Sequence, residues 1–418
     1  MNVGGSLRVP GDKSISHRAL ILSALAKGES RVTGILESAD VHSTAGVLRA
    51  LGASIPELSS DFVIVGRGTE SLRTAPAPLD CGNSGTTTRL MAGVVAGRPI
   101  EATFVGDASL SRRPMRRVAR PLEAMGARIS LPQSGGLPMT IWGSHLHEVI
   151  WQSEVASAQV KSAILLAALT GGVCAEVIEP QATRDHTERM LIARGAPVTT
   201  HERGVRIDEL AYVEPLDVVV PGDPSSAAFF AGLAAIADGG SLRLERVCVN
   251  ETRIGFLEQL EQMGAVVTQV DARLEGGEPV ADVVVSPGEL RPTTITAAEV
   301  PSMVDELPLL ACLATRANGE TIITGANELR VKESDRIAAV VANLRAIGAD
   351  AEELPDGMKI RGPSPALSGR ITTHGDHRLA MAFGVLGAAE GNAIEIDEPD
   401  CVAVSYPDFW NDLASVTR

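Results

Sequence analysis

Apolar, helix-like stretches recur six times along the chain, and a turn of small and polar residues precedes each of them. Residues 19–22 and 163–166 are examples of the apolar stretches. The preceding turns begin at Pro10, Cys81, Ser157, Pro221, Val300 and His374. Helix N-termini present unpaired N–H groups and a partial positive charge. Several of them converging on one cleft would bind a multiply charged anion, so the pattern favours a small phosphorylated substrate.

A second set of helix-like stretches is amphipathic and ends on the dipeptide Gly-Ala. Glycine just past the last helical turn is the usual C-cap, and the residues after it have the character of a strand, as at 265–267. The dipeptides begin at Gly52, Gly126, Gly195, Gly264 and Gly348. Their spacing of roughly 70 to 85 residues is longer than an ordinary solenoid repeat. The chain therefore predicts six supersecondary units, each with strands around two helices.

Composition is that of a globular protein of two or three domains. The 418 residues are 44% hydrophobic and 21% charged, and only 3% are aromatic, so aliphatic side chains must fill the cores. A net charge of −15 argues against nonspecific binding to nucleic acid, which needs a broad basic surface. Any anion site must therefore be a local cluster of cations.

Neither the cysteines nor the histidines have the spacing of metal ligands. Five cysteines lack a CxxC pattern, and their odd number does not suggest a disulfide framework. We therefore expect no metal and no cofactor. The N-terminus lacks a signal pattern, and the longest apolar runs are too short to span a bilayer. We expect a cytoplasmic monomer that binds neither membrane nor nucleic acid.

Two similar tripeptides indicate where the chain passes between domains. Pro221-Gly222-Asp223, followed by Pro224, has the turn residues of a crossover, and Pro10-Gly11-Asp12 has the same three residues but is followed by Lys13. The strand-like residues 7–9 could then belong to the other domain. We predict a first lobe of residues 12–222 and a second lobe of residues 1–11 plus 223–418, joined by two adjacent crossovers that act as a hinge.

Six motifs, in order along nearly the whole chain, resemble those of the 5-enolpyruvylshikimate-3-phosphate (EPSP) synthase family. They are PGDKSISHR at 10–18, GNSGT at 82–86, SAQVKS at 157–162, RDHTE at 184–188, LRVKESDR at 329–336 and GDHR at 375–378. The third and fourth motifs are similar to those of the bacterial class II branch. The resemblance implies an α/β fold of two lobes, each with three βαβαββ units whose helices lie inside the sheets, an inside-out α/β barrel.

The same resemblance implies transfer of the carboxyvinyl group of phosphoenolpyruvate to the 5-hydroxyl of shikimate 3-phosphate, with release of phosphate, in the synthesis of chorismate and aromatic amino acids. By similarity, Asp305 accepts the hydroxyl proton, Glu333 protonates the methylene carbon, and Lys13 is the third catalytic residue. Without the resemblance, Asp305 would be an ordinary helix N-terminal charge. Glu333 would be an ordinary surface ion pair with Arg336.

Cations and small polar residues of the motifs divide between the two implied substrates. Those implied to hold shikimate 3-phosphate are Lys13, Ser14, Arg18, Ser157, Ala158, Gln159, Arg184, Asp305 and Lys332. Those implied to hold phosphoenolpyruvate are Lys13, Asn83, Gly85, Arg113, Gln159, Lys332, Arg336 and Arg378. Arginine suits the carboxylate through bidentate pairing, whereas lysine offers phosphate a point charge.

Two positions depart from the family pattern, and a third bears on inhibition. Val404 stands where some members have a lysine, so the C-terminal segment supplies no cation there. Ala158 stands where others have a second serine. Gly85 lies by resemblance against the phosphoenolpyruvate pocket, where the herbicide glyphosate also binds, and its lack of a Cβ predicts a glyphosate-sensitive enzyme.

The sequence argues against three other interpretations. UDP-N-acetylglucosamine 1-carboxyvinyltransferase shares the fold and the donor, but residues 107–113 lack its usual loop cysteine. A P-loop enzyme needs GxxxxGK[ST], and the sequence at 11–14 lacks the upstream glycine. A noncatalytic anion-binding repeat protein could use the same fold, but it would not need two carboxylates together with the cation set.

Overall fold

Short polar side chains begin the buried helices at three corresponding turns. The carboxylate of Asp12 accepts the backbone N–H of Ile15 at 2.8 Å, and Asp223 accepts that of Ser225 at 2.8 Å. Asp376 likewise accepts the backbone N–H of Arg378 at 3.0 Å. An aspartate N-cap satisfies one of the donors that a helix start leaves unpaired, which is why these turns become helices.

The computed structural model describes residues 1–209 and 212–418. Its helices, in chain order, are α1 Lys13–Leu25, α2 Ala39–Ala50, α3 Gly85–Ala96, α4 Arg116–Ala124, α5 Ala158–Gly171, α6 His186–Ile192, α7 Pro224–Ala235, α8 Gly255–Gln262, α9 Val300–Met303, α10 Leu307–Ala314, α11 Arg336–Ala346, α12 His377–Ala388 and α13 Phe409–Val416.

Its strands are β1 Asn2–Leu7, β2 Lys27–Thr33, β3 Asp61–Arg67, β4 Leu79–Asp80, β5 Glu101–Val105, β6 Arg128–Ser130, β7 Met139–Trp142, β8 Val149–Gln152, β9 Ala175–Ile178, β10 Val198–His201, β11 Gly204–Ile207, β12 Val218–Val219, β13 Gly239–Cys248, β14 Val266–Glu275, β15 Glu278–Ser286, β16 Thr294–Ile295, β17 Gly319–Ile323, β18 Asp350–Leu354, β19 Gly357–Gly362, β20 Ser368–Ile371 and β21 Ala393–Ile396.

The chain divides into two compact units. The N-terminal unit comprises residues 11–220 and 274–278, and the C-terminal unit comprises residues 1–10, 221–273 and 279–418. The sequence had suggested boundaries after residues 11 and 222, and it gave no sign that residues 274–278 group with the N-terminal unit.

Each repeat forms one small sheet, and four of the six sheets have the same order of strands. The second repeat runs β4-α3-β5-α4-β6-β7 and is ordered β4-β5-β7-β6, with its first pair parallel and the others antiparallel. The third, fourth and fifth repeats have the same order. The first repeat has only β3 after α2, and the sixth is the parallel pair β20-β21, which α13 follows. The predicted βαβαββ architecture is confirmed, with these two repeats shortened.

Two strands belong to sheets that their position in the chain does not suggest. β1 precedes α1 but pairs in parallel with β13 of the C-terminal unit, from Asn2 opposite Gly239 to Leu7 opposite Leu244. β12 precedes α7 but pairs in parallel with β2 of the N-terminal unit. In each unit, the strand that begins the first repeat therefore comes from a distant part of the chain, just before the other crossover.

The first helix of each repeat is buried almost all round. Every residue of α7 and α10 is buried, as are 11 of the 12 residues of α3 and 11 of the 13 residues of α1. A helix that is apolar on every face must lie inside a core. Alanine, leucine, isoleucine and valine fill these helices, as the low aromatic content requires.

The five Gly-Ala dipeptides end helices as predicted. Their glycines have φ between +77° and +113°, a region that L side chains avoid. A strand begins within two residues of each of the last four dipeptides, whereas the strand after Gly52 begins only at Asp61.

The prediction that the turn at Val300 leads directly into the buried helix is wrong. α9 is four residues long, and the buried helix of this repeat is α10, which begins at Leu307. The interruption leaves Asp305 and Glu306 in the turn between the two helices. Among the described residues, the longest helix has 14 residues, so none could cross a membrane.

Candidate active site

Cationic side chains occupy helix starts in both units, where the helix dipole makes positive charge unfavourable. Lys13 is the first residue of α1 and Arg336 the first of α11, while Arg378 is the second residue of α12. A cation placed where the helix itself already presents partial positive charge has to be compensated by a neighbouring anion or by a bound one. These positions are therefore candidates for binding anionic groups.

In the C-terminal unit, the guanidinium of Arg336 is the centre of a carboxylate cluster. Its Nε lies 2.8 Å from Asp376 Oδ2, and its Nη2 lies 2.7 Å from Glu333 Oε2. Its Nη1 lies 3.4 Å from Asp305 Oδ1. The Arg336 side chain is 1% exposed and Asp376 is fully buried. Three separate turns thus converge on one buried cation.

Asp305 is surrounded by positive charge. Lys332 Nζ lies 3.4 Å from its Oδ1, and Arg378 Nη2 lies 3.9 Å from its Oδ2, in addition to the contact with Arg336. Its side chain is 13% exposed. Three cations within 4 Å favour the carboxylate form, which is the form that accepts a proton.

Glu333 must instead be protonated if it is to donate a proton, and positive charge nearby opposes protonation. Burial alone would raise the pKa of its carboxyl, but Arg336 above all, with smaller contributions that include the neighbouring Lys332, outweighs burial and holds that pKa far below its usual range. Its side chain is 34% exposed. Burial lowers the pKa of His377 to about 3, so this imidazole is neutral at pH 7. Glu333 is therefore ionised as long as its cations have no other anion to neutralise them.

In the N-terminal unit, Lys13 is held at the start of α1 by an ion pair with Asp40 on α2. Burial would raise the pKa of the Asp40 carboxyl, and the Lys13 ammonium brings it below its usual value instead. Arg113 also acts on this carboxyl electrostatically. Two predicted cations thus lie around one carboxylate that the sequence did not single out.

Asn83 and Arg113 are brought together by the turn before α3. Arg113 Nη2 donates to Asn83 Oδ1 at 2.6 Å, and Asn83 Nδ2 donates to Asp107 Oδ2 at 2.5 Å. Gly85, the first residue of α3, lies beside them: a Cβ built on it would be 3.5 Å from Arg113 Nη1 and 2.8 Å from Arg89 Nη1. Its φ is outside the left-handed region, so the turn itself does not require glycine.

Gln159 is tied to the same helix. Its Oε1 accepts from Arg89 Nη1 at 2.5 Å, and its Nε2 donates to Thr86 Oγ1 at 2.9 Å. Arg89 is 8% exposed, which makes it a buried cation beside Gly85 and Gln159. Ser157 and Ala158 lie at the start of α5 next to Gln159.

Arg18, on α1, is 4% exposed and donates to the carbonyl oxygen of Ser14 at 2.9 Å. Arg184, in the turn before α6, acts on Arg18 as a like charge. Two guanidiniums whose charges act on each other favour the binding of an anionic group.

Each unit therefore groups its own share of the predicted residues. Those in the N-terminal unit are Lys13, Ser14, Arg18, Asn83, Gly85, Arg113, Ser157, Ala158, Gln159 and Arg184. Those in the C-terminal unit are Asp305, Lys332, Glu333, Arg336 and Arg378. Val404 is 42% exposed.

Sequence reasoning missed Asp40, Arg89 and Asp376. Asp376 had a signal, because it corresponds to the aspartates of the two crossover tripeptides and caps its helix in the same way. Asp40 and Arg89 had none, since their partners lie 27 and 70 positions away in sequence. Among the described residues, no group of three histidine, cysteine or acidic side chains is arranged to hold a metal ion.

Comparison with known proteins gives matches over the full length. The family model described as EPSP synthase (3-phosphoshikimate 1-carboxyvinyltransferase) matches residues 1–413. A 3-phosphoshikimate 1-carboxyvinyltransferase of Sulfurihydrogenibium sp. (strain YO3AOP1) is 48% identical over 421 residues, covering 100% of this chain and 98% of the relative. EPSP synthase from Acinetobacter baumannii has a TM-score of 0.91 at 40% identity, covering 100% of this chain and 96% of its own. The enolpyruvyl transferase NikO from Streptomyces tendae has a TM-score of 0.77 at 17% identity, covering 99% of this chain and 95% of its own, and supports the fold alone.

The buried pair Arg336–Asp376 gives a prediction for stability. Asp376→Asn keeps a capping side chain but leaves the guanidinium short of one charge, so we expect a loss of about 3 to 5 kcal/mol in unfolding free energy at pH 7. Burial would raise the pKa of Asp376, and Arg336 lowers it instead, below the ordinary 3.8. The contribution is therefore present above about pH 4 and disappears as pH falls through the native pKa.

Urea denaturation at a series of pH values measures this loss. Asp335→Asn is the matched control, because Asp335 also caps a helix and pairs with an arginine but is 40% exposed. We expect the control to lose under about 1 kcal/mol. Equal losses in the two variants would show that the buried pair has no special weight.

Proposed function

The chain belongs to the EPSP synthase family, the 3-phosphoshikimate 1-carboxyvinyltransferases, and from this membership we propose how its residues carry out the reaction. It is a transferase that moves the carboxyvinyl group of phosphoenolpyruvate to the 5-hydroxyl of shikimate 3-phosphate and releases phosphate. The observation that carries the residue assignment is the cluster in which Asp305 and Glu333 share the cation Arg336.

In the addition step, the 5-hydroxyl oxygen forms a bond to C2 of phosphoenolpyruvate while its proton passes to Asp305. The methylene carbon takes a proton from Glu333 and becomes a methyl group, which gives a tetrahedral intermediate. In the elimination step, the methyl group returns a proton to the ionised Glu333, the bond from C2 to the phosphate oxygen breaks, and the proton held by Asp305 leaves with the phosphate. Inorganic phosphate leaves, and the double bond forms again.

The cations serve the donor, and their charges decide when Glu333 can act. The phosphate and carboxylate of phosphoenolpyruvate are held by Lys13, Arg113, Lys332, Arg336 and Arg378. Asn83, Gly85 and Gln159 complete the set. The donor's negative charges neutralise these cations and so raise the pKa of Glu333 toward the protonated form. Glu333 is then protonated only when the donor is bound, and it stays ionised in the free enzyme.

Shikimate 3-phosphate is held by a second set of side chains. Arg18 and Arg184 bind its anionic groups, and Ser14, Ser157 and Gln159 bind its polar groups. This set is completed by the backbone of Ala158 and by Lys13, Asp305 and Lys332. We also propose that the protein acts as a monomer in the cytoplasm, where its cysteines, which form no disulfide among the described residues, stay reduced.

Transfer to UDP-N-acetylglucosamine is the closest alternative, and the full-length relatives favour shikimate 3-phosphate instead. The turn at 107–113 supports this choice, because it binds Asn83 through Asp107 and Arg113 and contains no cysteine. A noncatalytic anion-binding protein would not need Asp305 and Glu333 around one buried cation.

Phosphate release tests the substrate assignment. The protein is incubated with phosphoenolpyruvate plus either shikimate 3-phosphate or UDP-N-acetylglucosamine. We expect phosphate only with shikimate 3-phosphate. Release only with the sugar nucleotide would overturn the assignment, and release with neither would favour the binding protein.

Glu333→Gln tests the proton donor. The amide keeps the size of the side chain but cannot give up a proton, so we expect turnover to fall by about 100-fold or more. Dissociation constants measured by calorimetry should stay nearly unchanged, since the side chain acts in the transition state. In Asp305→Asn, turnover should fall by a comparable factor. Shikimate 3-phosphate should still protect this variant against heat. Near-normal turnover of Glu333→Gln would remove this residue from the mechanism.

Gly85→Ala tests discrimination between phosphoenolpyruvate and glyphosate. The added methyl group displaces the guanidinium of Arg89, 2.8 Å away, which is the far end of a flexible side chain. We expect the melting temperature to be preserved and glyphosate inhibition to weaken by about 10-fold or more, with a smaller rise in KM for phosphoenolpyruvate, because the inhibitor is longer.

Gly46→Ala is the control for this substitution, because Gly46 lies on an exposed part of α2 with nothing within 4 Å of an added Cβ. It should leave both constants unchanged. Equal weakening of inhibitor and substrate in Gly85→Ala would contradict the selective clash.

A further inference from the structure

The helices that carry Lys13 and Asp40 make a second polar contact one helical turn further along. His17 follows Lys13 by four positions on α1. Thr44 follows Asp40 by the same interval on α2, and residues four apart lie on one face of a helix. His17 Nδ1 and Thr44 Oγ1 are 2.7 Å apart. The two helices are therefore joined first by an ion pair at the candidate site and then by a contact between an imidazole and a hydroxyl.

Two further hydroxyls extend this contact to α3. Thr44 Oγ1 lies 2.7 Å from Thr87 Oγ1, and Thr87 Oγ1 donates to Ser84 Oγ at 2.7 Å. Ser84 is the N-cap of α3, and its Oγ also accepts the backbone N–H of Thr87 at 3.1 Å. Asn83 and Gly85, which are assigned to the donor, lie on either side of Ser84. The chain of contacts therefore ends inside the turn proposed to bind phosphoenolpyruvate.

The side chains of His17, Thr44, Thr87 and Ser84 form a relay that has no exposed surface. A hydroxyl donates one hydrogen bond. Thr87 Oγ1 is 3.3 Å from the carbonyl oxygen of Asp40, so its proton goes to the nearer Ser84. Thr44 must then donate to Thr87, and it must accept its own hydrogen bond from His17.

This direction of the relay places the imidazole proton of His17 on Nδ1. Burial lowers the pKa of His17 to about 3, so the ring is neutral at pH 7 and carries one N–H. Nε2 has no hydrogen-bond partner among the described residues, and it is then the nitrogen without a proton. The ring thus acts as the first donor of the relay.

Directional bonds set distances that apolar packing leaves open. The hydrophobic effect is non-directional, whereas a hydrogen bond weakens steeply when its length or angle changes. A break in the relay would also leave buried polar atoms unsatisfied. The relay therefore fixes the spacing of α1, α2 and α3 at the end where Lys13, Asp40 and the turn at 82–85 lie.

We propose that His17, acting through Thr44 and Thr87, positions the turn at 82–85 for phosphoenolpyruvate. This inference rests on the proposed function. It makes all three residues positioning residues, since each is completely buried and none of them touches the donor.

Thr44→Val tests this inference, because valine keeps the shape of threonine and removes the hydroxyl. KM for phosphoenolpyruvate is measured at saturating shikimate 3-phosphate, and the dissociation constant of shikimate 3-phosphate by calorimetry. We expect KM to rise by about 10-fold or more. The dissociation constant should change less than about two-fold, since α2 contributes no residue to that set. Thr44→Ser restores the hydroxyl and should return KM to within about two-fold of the natural value.

Thr170→Val is the matched control. Thr170 lies near the end of α5 in the same unit and is 3% exposed, and its hydroxyl donates to the carbonyl oxygen of Leu166 at 3.0 Å. The control also loses one buried hydroxyl, but one outside the relay, so it should change neither constant. A merely structural role of Thr44 would lower the melting temperature and leave KM of the folded protein unchanged, as in the control.

Nitrogen-15 NMR of histidine-labelled natural protein tests the direction of the relay without a destabilising substitution. Thr44→Ser assigns the His17 resonances by their shift. We expect the proton on Nδ1. A proton on Nε2 would overturn the relay, because Thr44 would then donate to His17 and could not donate to Thr87. If Thr44→Val does not fold, Thr87→Val breaks the relay at the next hydroxyl and replaces it.

The outcomes separate this inference from the function beneath it. A folded Thr44→Val protein that keeps its KM for phosphoenolpyruvate, or that loses affinity for both substrates equally, overturns the positioning role and leaves the proposed function standing. A natural protein that releases no phosphate from the two substrates overturns both. A selective rise in KM, reversed in Thr44→Ser and absent in Thr170→Val, supports the inference.

Discussion

The guanidinium of Arg336 is almost completely removed from solvent, and it can stay charged there only because three carboxylates meet it. Asp376, Glu333 and Asp305 come from the start of α12, the residues before α11, and the turn between α9 and α10. A buried cation without partners would cost several kcal/mol. The requirement to satisfy this one charge therefore fixes the position of three turns, two of which bear the proposed acid and base.

The same charges keep both carboxylates ionised in the free protein, although their proposed roles are opposite. Asp305 has three cations within 4 Å and is ready to accept a proton. Glu333 shares one of those cations and is kept ionised by it, although its proposed role is to donate. Binding of an anionic donor resolves this conflict, because it competes for the cations. In a protein of net charge −15, such local clusters are the places where a multiply charged anion can bind.

Features with a local chemical cause could be read from the sequence. The Gly-Ala helix ends were predictable because positive φ selects glycine, and the helix starts because short polar side chains cap them. The places of β1 and β12 could not be predicted in full, since β12 has two residues and no periodicity, and its partner lies far away in the chain. The break between α9 and α10 was missed because apolar residues flank it on both sides.

The candidate site shows the same difference between features with a local cause and features that depend on distant contacts. The cations inside motifs were found by resemblance, whereas Asp40, Arg89 and the His17–Thr44 pair depend on contacts between distant segments. A motif names the residues at one turn, but it does not say which other turn completes their charges. The structure supplies that information as distances between side chains within each unit.

The protonation state of Glu333 in the free protein tests the central claim most directly. Carbon-13 NMR of glutamate-labelled protein, with Glu333→Gln to assign the resonance, follows this carboxyl as pH is lowered in the absence of substrates. The account predicts that the signal stays at the ionised position down to about pH 4, below the ordinary pKa of 4.5. A titration midpoint at or above 4.5 in the free protein would contradict it.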